Sequence, residues 1–261
     1  MRRERKRLRP SSPKDRKKRE LRHVVSRFNL WFEEAVSPRL DDLSKEIKEI
    51  EQKIQELKQE KDDYPENMRY DTDGKPDESY MNLFAEEGGL AYEIDLLSSQ
   101  KLAIEEMKVV GLYKDFEIFL KELITISFPD AVTKELYKWE NVKSFLKSYS
   151  IQVGDIRNQG VINELRIVNN NIKHSNTIED AVKNIPEFEN KEEFDYEGLS
   201  QFYDRVRNEP VNFLDSLVDK ILAYLFVFDE ERIDKIASEY EGRMDKDTAM
   251  KFAEALLQKF R

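Results

Sequence analysis

The sequence predicts an all-α protein in which an antiparallel coiled-coil hairpin precedes a compact helical bundle. Three observations favour this fold class. Charged residues make up 38% of the 261-residue chain, Gly and Pro number only 8 each, and apolar residues recur at helical spacings. Such a composition is typical of long solvated helices rather than of a compact sheet protein. Aromatic residues, at 11%, suffice for a real core and argue against a disordered chain.

The composition also argues against several classes of function. The chain has no Cys, which excludes disulfides and thiolate chemistry, and His23 and His174 alone are too few for a histidine-rich metal site. No apolar run approaches the roughly 20 residues that cross a bilayer, and the N-terminus is too basic for a signal-peptide core. We therefore expect a cytoplasmic protein without a metal, another cofactor or a membrane partner.

The charge of the chain is unevenly distributed. Residues 1–22 contain 12 Lys and Arg against three acidic residues, a net charge of +9, and since the whole chain carries −10 the remainder carries −19. We predict that residues 1–20 form a disordered basic arm, in which Pro10 and Pro13 block a helix. Such an arm can bind phosphates, fold back onto its acidic body or act as a solubilising tail, and the sequence leaves these alternatives open.

Residues 21–106 are predicted to form a short helix and the coiled-coil hairpin. The short amphipathic helix begins at Leu21 and has one apolar face, made of Val24, Phe28, Trp31 and Ala35. Ser37-Pro38 then fits an N-cap followed by a proline at the first helical position of the next helix.

The hairpin itself is predicted from a heptad seam whose members alternate at spacings of three and four: Leu40, Leu43, Ile47, Ile50, Ile54 and Leu57. A loop follows over residues 64–78, and a second helix with a looser heptad pattern starts near Ser79. An antiparallel pairing within the chain is the economical solution. The alternative is a seam that pairs with a second chain.

Residues 107–230 are predicted to form the bundle. Its first helix ends at Phe128, before Pro129. A second covers residues 137–149, a third runs from after Gly154 to about His174, and the last begins at Pro210. Residues 175–208 are interpreted as an acidic connection. Residues 231–261 are assigned to a charged C-terminal helical segment.

One helix of this bundle, within residues 161–176, has side chains suited to phosphodiester chemistry. Its core face is Val161, Leu165, Val168 and Ile172, within roughly 60° of one another, and its polar residues occupy an arc of roughly 140° on the opposite side. These candidate site residues are Arg166, Asn169, Asn170, Lys173 and His174.

Each residue type on this polar face has a possible role. A histidine with its unperturbed pKa of about 6.5 can transfer a proton at neutral pH, cations can stabilise charge on phosphoryl oxygens, and amides can orient a substrate. The alternative is that this face, like the polar side of most amphipathic helices, only contacts solvent. The run of three Asn residues weighs against that alternative, because Asn is a poor helix former.

Residues 107–228 resemble a HEPN domain. The stretch Leu112–Lys121 is similar to the first helix of that family, with an aromatic–Glu pair ahead of apolar residues. Residues 169–174 resemble the family's signature, in which an Arg and a polar residue precede a His by four to six positions. His174 matches the catalytic His and Asn170 the polar residue, but Asn169 stands where the family has its Arg, and an amide carries no positive charge.

The resemblance implies a HEPN-like four-helix bundle and a metal-independent endoribonuclease. In the family, two motifs meet across a dimer interface, the RNA 2′-hydroxyl attacks the adjacent phosphate, and many members are toxins or anti-phage effectors. RNA, a second copy and an antitoxin or defence-system protein are thus the implied partners. Arg166 or Lys173 would have to replace the missing Arg.

Two other interpretations stay open. The first, which the Asn169 substitution favours, is a catalytically inactive HEPN scaffold that dimerises and binds a protein partner or nucleic acid. The second is a structural coiled-coil protein whose basic arm docks on nucleic acid.

Overall fold

The computed structural model describes residues 12–175 and 177–259, and this part of the chain is all-α: 78% of it is helical and it contains no strand. Ten α-helices follow one another in this part, and short 3-10 turns lie in several of the connections. The helices are α1 (Pro13–Ser26), α2 (Trp31–Asp63), α3 (Glu78–Ser127), α4 (Trp139–Ser148), α5 (Gln159–His174), α6 (Asp180–Lys183), α7 (Tyr196–Val206), α8 (Glu209–Phe226), α9 (Glu230–Glu241) and α10 (Lys246–Gln258).

Helix α2 and the first part of α3 form the antiparallel hairpin, as predicted, and we call this part the stalk. Leu43, Ile50 and Leu97 are buried between the two helices, and Ile47 and Ile54 of the seam pack against them. The connecting loop turns at Gly74, whose φ of +74° suits a residue without a side chain. The seam closes within one chain, which favours the intrachain pairing.

The prediction that Ser37-Pro38 starts a new helix is wrong. Helix α2 begins at Trp31 and continues through Pro38. The proline removes one backbone hydrogen bond, but the Ser37 hydroxyl donates to the Glu33 carbonyl at 2.8 Å, and the packed seam follows directly. Trp31, which the sequence placed on the apolar face of the preceding helix, is 69% exposed.

Helix α1 corrects two predictions about the N-terminal region. It begins at Pro13 instead of Leu21, because a proline is tolerated in the first turn and the Ser12 side chain accepts a hydrogen bond from the Asp15 amide. Its buried residues, Leu21 among them, join the core of the bundle, so the helix does not belong with the stalk. Residues 13–20 of the predicted disordered arm are thus helical, and residues 1–11 lie outside the described part.

Helix α3 is continuous over 50 residues, so the predicted domain boundary at residue 107 falls inside a helix. The environment of the helix changes gradually around this point. Lys101 Nζ already lies 3.9 Å from the centroid of the Tyr196 ring on α7, Leu102 packs against the bundle core, and the buried core residues of the helix begin at Val109. As predicted, the helix ends before Pro129. One unbroken helix therefore joins the stalk to the bundle.

The core of the bundle is built around the second half of α3, against which α1, α5, α7 and α8 pack. Aromatic rings fill its centre, with the centroids of Phe116 and Phe213 5.4 Å apart.

The prediction that residues 175–208 form an acidic connection is wrong for the second half of this range. Helix α7 lies there, and its apolar residues at helical spacing are fully buried despite the acidic composition: Leu199, Phe202, Tyr203 and Val206.

The C-terminal segment consists of two helices instead of the single one expected. Helices α9 and α10 lie against each other, with the Tyr240 and Phe252 rings stacked at 5.7 Å. Nowhere in the described ranges does a helix combine the length and apolar character needed to cross a membrane.

Candidate functional site

Helix α5 is held in place by its apolar side, which packs on α3 and α8 through Ile162, Leu165 and Val168. The buried face is rotated from the predicted one, since Val161 and Ile172 are only partly buried. The rotation has one consequence for the candidate residues. Asn169, expected on the solvent side, is 1% exposed.

All five candidate residues line a single cleft of about 380 Å³: Arg166, Asn169, Asn170, Lys173 and His174. The opposite wall comes from α3 and from the chain entering α4. It contributes six residues that sequence reasoning did not assign to a site: Tyr113, Glu117, Tyr137, Lys138, Trp139 and Glu140. The tertiary structure therefore joins a basic, histidine-bearing helix face to an aromatic and acidic wall.

The two cations of α5 are available to a ligand. Arg166 donates from Nε and from its terminal nitrogen to Asn163 Oδ1, at 3.3 and 3.0 Å, and within the described residues it makes no ion pair. Lys173 and His174 are exposed at the mouth of the cleft. Residues 166, 170 and 173 follow an i, i+4, i+7 stripe, so the two cations flank Asn170 along the helix.

The two carboxylates in the opposite wall each have a lysine nearby. Lys143 Nζ lies 2.8 Å from Glu140, and Lys121 Nζ lies 3.9 Å from Glu117, each pair within a single helix. These exposed pairs contribute little to stability. The two lysines do offset the negative charge of Glu117 and Glu140, so these carboxylates neutralise the charges of Arg166 and Lys173 less.

Tyr113 presents a buried phenol between charges of opposite sign. Burial, together with the nearby Glu117 carboxylate, raises the pKa of Tyr113, while the Arg166 guanidinium acts in the opposite direction. The phenol stays protonated at neutral pH and can donate a hydrogen bond to an anion in the cleft. Sequence reasoning quoted Tyr113 and Glu117 only as part of the family resemblance. Their i, i+4 spacing on an otherwise apolar face of α3 was the available signal.

Two buried polar atoms of the residues that line the cleft have no hydrogen-bond partner among the described residues. Asn169 donates from Nδ2 to Asn170 Oδ1 at 3.1 Å, but its own Oδ1 accepts nothing, and Trp139 Nε1 donates to nothing. A buried polar atom left unpaired costs about 1–3 kcal/mol. A ligand that offered a donor to Asn169, an acceptor to Trp139, or both would recover part of that cost.

The third residue of the Asn run has a structural role. Asn171 is 1% exposed, donates to the Thr177 carbonyl and accepts from the Glu179 amide, both at 2.8 Å. It thereby fixes the chain as it leaves α5 beside His174. The unusual Asn run is explained in part by this capping function.

Helix α4 directs its N-terminus into the cleft. Lys138 is the N-cap residue, no side chain there accepts from the first-turn amides, and Lys138, Trp139 and Glu140 all line the cleft. Free amides and the helix dipole at such a terminus attract anions. The cleft therefore combines a helix N-terminus with three side-chain cations, those of Lys138, Arg166 and Lys173.

Comparison of the chain with protein-family models, with curated proteins and with solved structures gave no match. Within the described ranges, no three His, Asp or Glu side chains are grouped as metal ligands. On its residues alone, the cleft is suited to holding a phosphate beside a histidine that can transfer a proton.

Proposed function

We propose that this chain is a metal-independent endoribonuclease of the HEPN type that belongs to a toxin–antitoxin or anti-phage defence system. The observation that carries the proposal is the convergence of Arg166, Lys173 and His174 with the N-terminus of α4 in one cleft. The assignment to a toxin or defence system rests on the family resemblance.

In this proposal the cleft binds one RNA phosphate and assists attack by the neighbouring 2′-hydroxyl. Arg166, Lys173 and the first amides of α4 bind the phosphoryl oxygens, which gain charge in the transition state. The 2′-oxygen forms a bond to phosphorus and loses its proton, while the bond from phosphorus to the 5′-oxygen breaks and that oxygen gains a proton. The products are a 2′,3′-cyclic phosphate and a 5′-hydroxyl.

His174 performs one of these two proton transfers, because it is the only histidine that lines the cleft and histidine is the commonest general acid or base of enzymes. The other transfer needs a second group. The family resemblance supplies it from the His174 of a second copy, since HEPN motifs meet across a dimer interface. Activity in this proposal therefore requires dimers.

Tyr137 provides a surface for a base next to the scissile phosphate. Its ring is 61% exposed at the cleft, and Lys138 Nζ lies 5.4 Å from the ring centroid. Stacking of a base on such a ring contributes about 1–3 kcal/mol without demanding a particular sequence.

A catalytically inactive HEPN scaffold is the second candidate, and Asn169 favours it. The residue in the place of the family's Arg is uncharged, buried and bonded to its neighbour Asn170. If Arg166 does not replace the missing charge, the cleft binds RNA or a protein without cleaving it.

The test of cleavage is a comparison of the wild type with His174→Ala on a single-stranded RNA in excess EDTA. We expect cyclic phosphate ends, no cleavage of a substrate with 2′-deoxy sugars, and a rate loss of about 10²–10⁴ in the variant. His23→Ala is the matched control, because it removes an exposed histidine of α1. In cells, the wild type should slow growth and degrade RNA, and His174→Ala should do neither.

The same assay separates nuclease from scaffold. Arg166→Ala and Lys173→Ala should each reduce the rate, and the larger loss identifies the replacement for the missing Arg. Asn169→Arg restores the family's motif and should raise activity, provided that circular dichroism and thermal melting show that the variant still folds. A wild type and an Asn169→Arg variant that are both folded and inactive would establish the scaffold instead.

A further inference from the structure

The C-terminal helices expose an unusual amount of apolar surface. Every described residue of α10 is exposed, and neither α9 nor α10 contains a buried residue. Six large apolar side chains of the pair are between 40% and 64% exposed: Ile233, Tyr240, Met250, Phe252, Leu256 and Leu257. Between the helices lies a groove of about 1010 Å³ with a mainly apolar lining.

These helices are too short to be stable without further packing. They span 12 and 13 residues, and isolated helices shorter than about 12–15 residues are marginal in water. In proteins, most helix stability comes from an apolar face packed against other elements. The α9–α10 pair has the apolar faces, but nothing within the described residues buries them.

The apolar arc of α10 is wider than one neighbouring helix covers. At 100° per residue, the arc from Met250 and Leu257 through Ala253 to Phe252 spans about 160°. The groove shared with α9 is lined by Ala249, Phe252, Ala253 and Leu256, whereas Met250 and Leu257 lie outside it. Burying Met250 and Leu257 therefore requires a helix other than α9.

The exposed area matches the requirement of a stable dimer. Half-exposed side chains of this size each present roughly 100 Å², so the six present roughly 600 Å² per molecule, to which the alanines and a polar rim add. A standard stable interface buries about 800 Å² per partner. Two antiparallel helix pairs joined face to face form a four-helix bundle, in which every helix has two neighbours.

We propose that the α9–α10 pair is a self-association surface, on which the same pair of a second copy of this chain packs to form a four-helix bundle. A two-fold arrangement is the commonest symmetry of soluble oligomers and uses the same patch on both molecules. The proposal does not depend on RNA cleavage, because no residue of the cleft lies in α9 or α10.

The test is the mass of the full-length chain by light scattering at tens of micromolar, for the wild type and for Met250→Lys with Leu257→Lys. These two residues lie outside the groove, so the substitutions leave the contact between α9 and α10 intact. We expect the wild-type mass to be at least twice the 31.1 kDa of one chain and to halve in the variant. Met81→Lys with Leu96→Lys is the matched control, because these stalk residues are 48% and 47% exposed, and it should keep the wild-type mass.

A second measurement covers the case in which the variant loses helix structure in this region. Hydrogen exchange of the wild type should show amide protection in residues 230–258 that rises with protein concentration, while protection in the bundle core stays constant. A wild-type monomer, an unchanged mass in the Met250/Leu257 variant, or protection independent of concentration would overturn the proposal.

Discussion

At the scale of single residues, a buried ion pair stands out where the stalk meets the bundle. Glu105 and Lys108 of α3 are 1% and 7% exposed. Lys108 Nζ donates to Glu105 Oε1 at 3.0 Å, lies 2.9 Å from Oε2, and sits 4.2 Å from the centroid of the Tyr203 ring on α7. Tyr203 in turn donates to Glu33 of α2 at 3.2 Å, so the pair links three helices where the stalk meets the bundle.

Removing only the lysine should destabilise this junction strongly. Lys108→Met leaves the Glu105 carboxylate buried without a counter-charge, and such a loss costs about 3–5 kcal/mol. The double change Glu105→Leu with Lys108→Met is the control, and it should be close to neutral because no charge is left buried. Urea unfolding followed by circular dichroism measures both, and equal destabilisation of the two variants would contradict the prediction.

The pH dependence of the single variant has a definite sign. Burial already raises the pKa of Glu105, and Lys108 opposes that shift, so its removal raises the pKa further. A carboxyl whose pKa is higher in the folded than in the unfolded state loses stability as the pH rises through that interval. The destabilisation by Lys108→Met should therefore be smaller near pH 5 than near pH 8.

At the scale of elements, the stalk depends on one row of apolar contacts. Ile50 is 6% exposed in the middle of α2, and its neighbours in the seam pack against residues of α3. The outer faces of both helices are exposed, so among the described residues the seam is buried only by the contact between α2 and α3. We therefore expect that two substitutions in the seam can unfold the stalk while the bundle stays folded.

Replacing Ile47 and Ile50 with Asp should unfold the stalk. Two unpaired charges would enter the seam, at a cost of about 3 kcal/mol or more, while the bundle core remains intact. Gln52→Asp with Gln55→Asp places two acids at the same spacing on exposed positions of the same helix and should leave melting nearly unchanged. A Tm unaffected by the Ile47/Ile50 change would show that the seam is not buried.

At the scale of the whole molecule, part of the basic N-terminal region forms ion pairs within the protein. Helix α1 folds back onto the acidic body, with Arg22 paired to Asp215 and, at 2.7 Å, to Asp219. Arg27, directly after the helix, pairs with Glu122. Its cations are thus partly used within the protein. Residues 1–11, with six Lys and Arg against one Glu, carry +5 that these pairs do not involve.

Deletion of residues 1–11 should weaken RNA binding and flatten its salt dependence without lowering the Tm. Each Lys or Arg that contacts a phosphate adds to the slope of binding against salt concentration. Deletion of residues 1–22 should also lower the Tm, because it removes Leu21 from the core at a cost of about 1.5–3 kcal/mol. RNA-binding titrations at several salt concentrations, in the His174→Ala background, measure the slope. An unchanged slope after the first deletion would show that residues 1–11 do not contact RNA.

The sequence by itself determined the all-α class, the hairpin and the set of α5 residues that line the cleft. These follow from local information, since heptad spacing, Pro129 and the 3.6-residue period act within one or two helices. Sequence reasoning misplaced the start of α1, divided α3 at residue 107 and overlooked α7. In each case burial against distant residues decided the outcome, and neither a proline rule nor an acidic composition reports such burial.

Only the tertiary structure decided what faces His174. Tyr113, Tyr137 and Trp139 precede His174 by 61, 37 and 35 positions in the sequence. They line one cleft with His174 only because of the tertiary fold, and no local pattern encodes that meeting. Tertiary packing also rotated α5 enough to bury Asn169 while leaving Lys173 and His174 at the surface. The helical period determines which residues share a face, but the packing of neighbouring helices determines how far each of those side chains is buried.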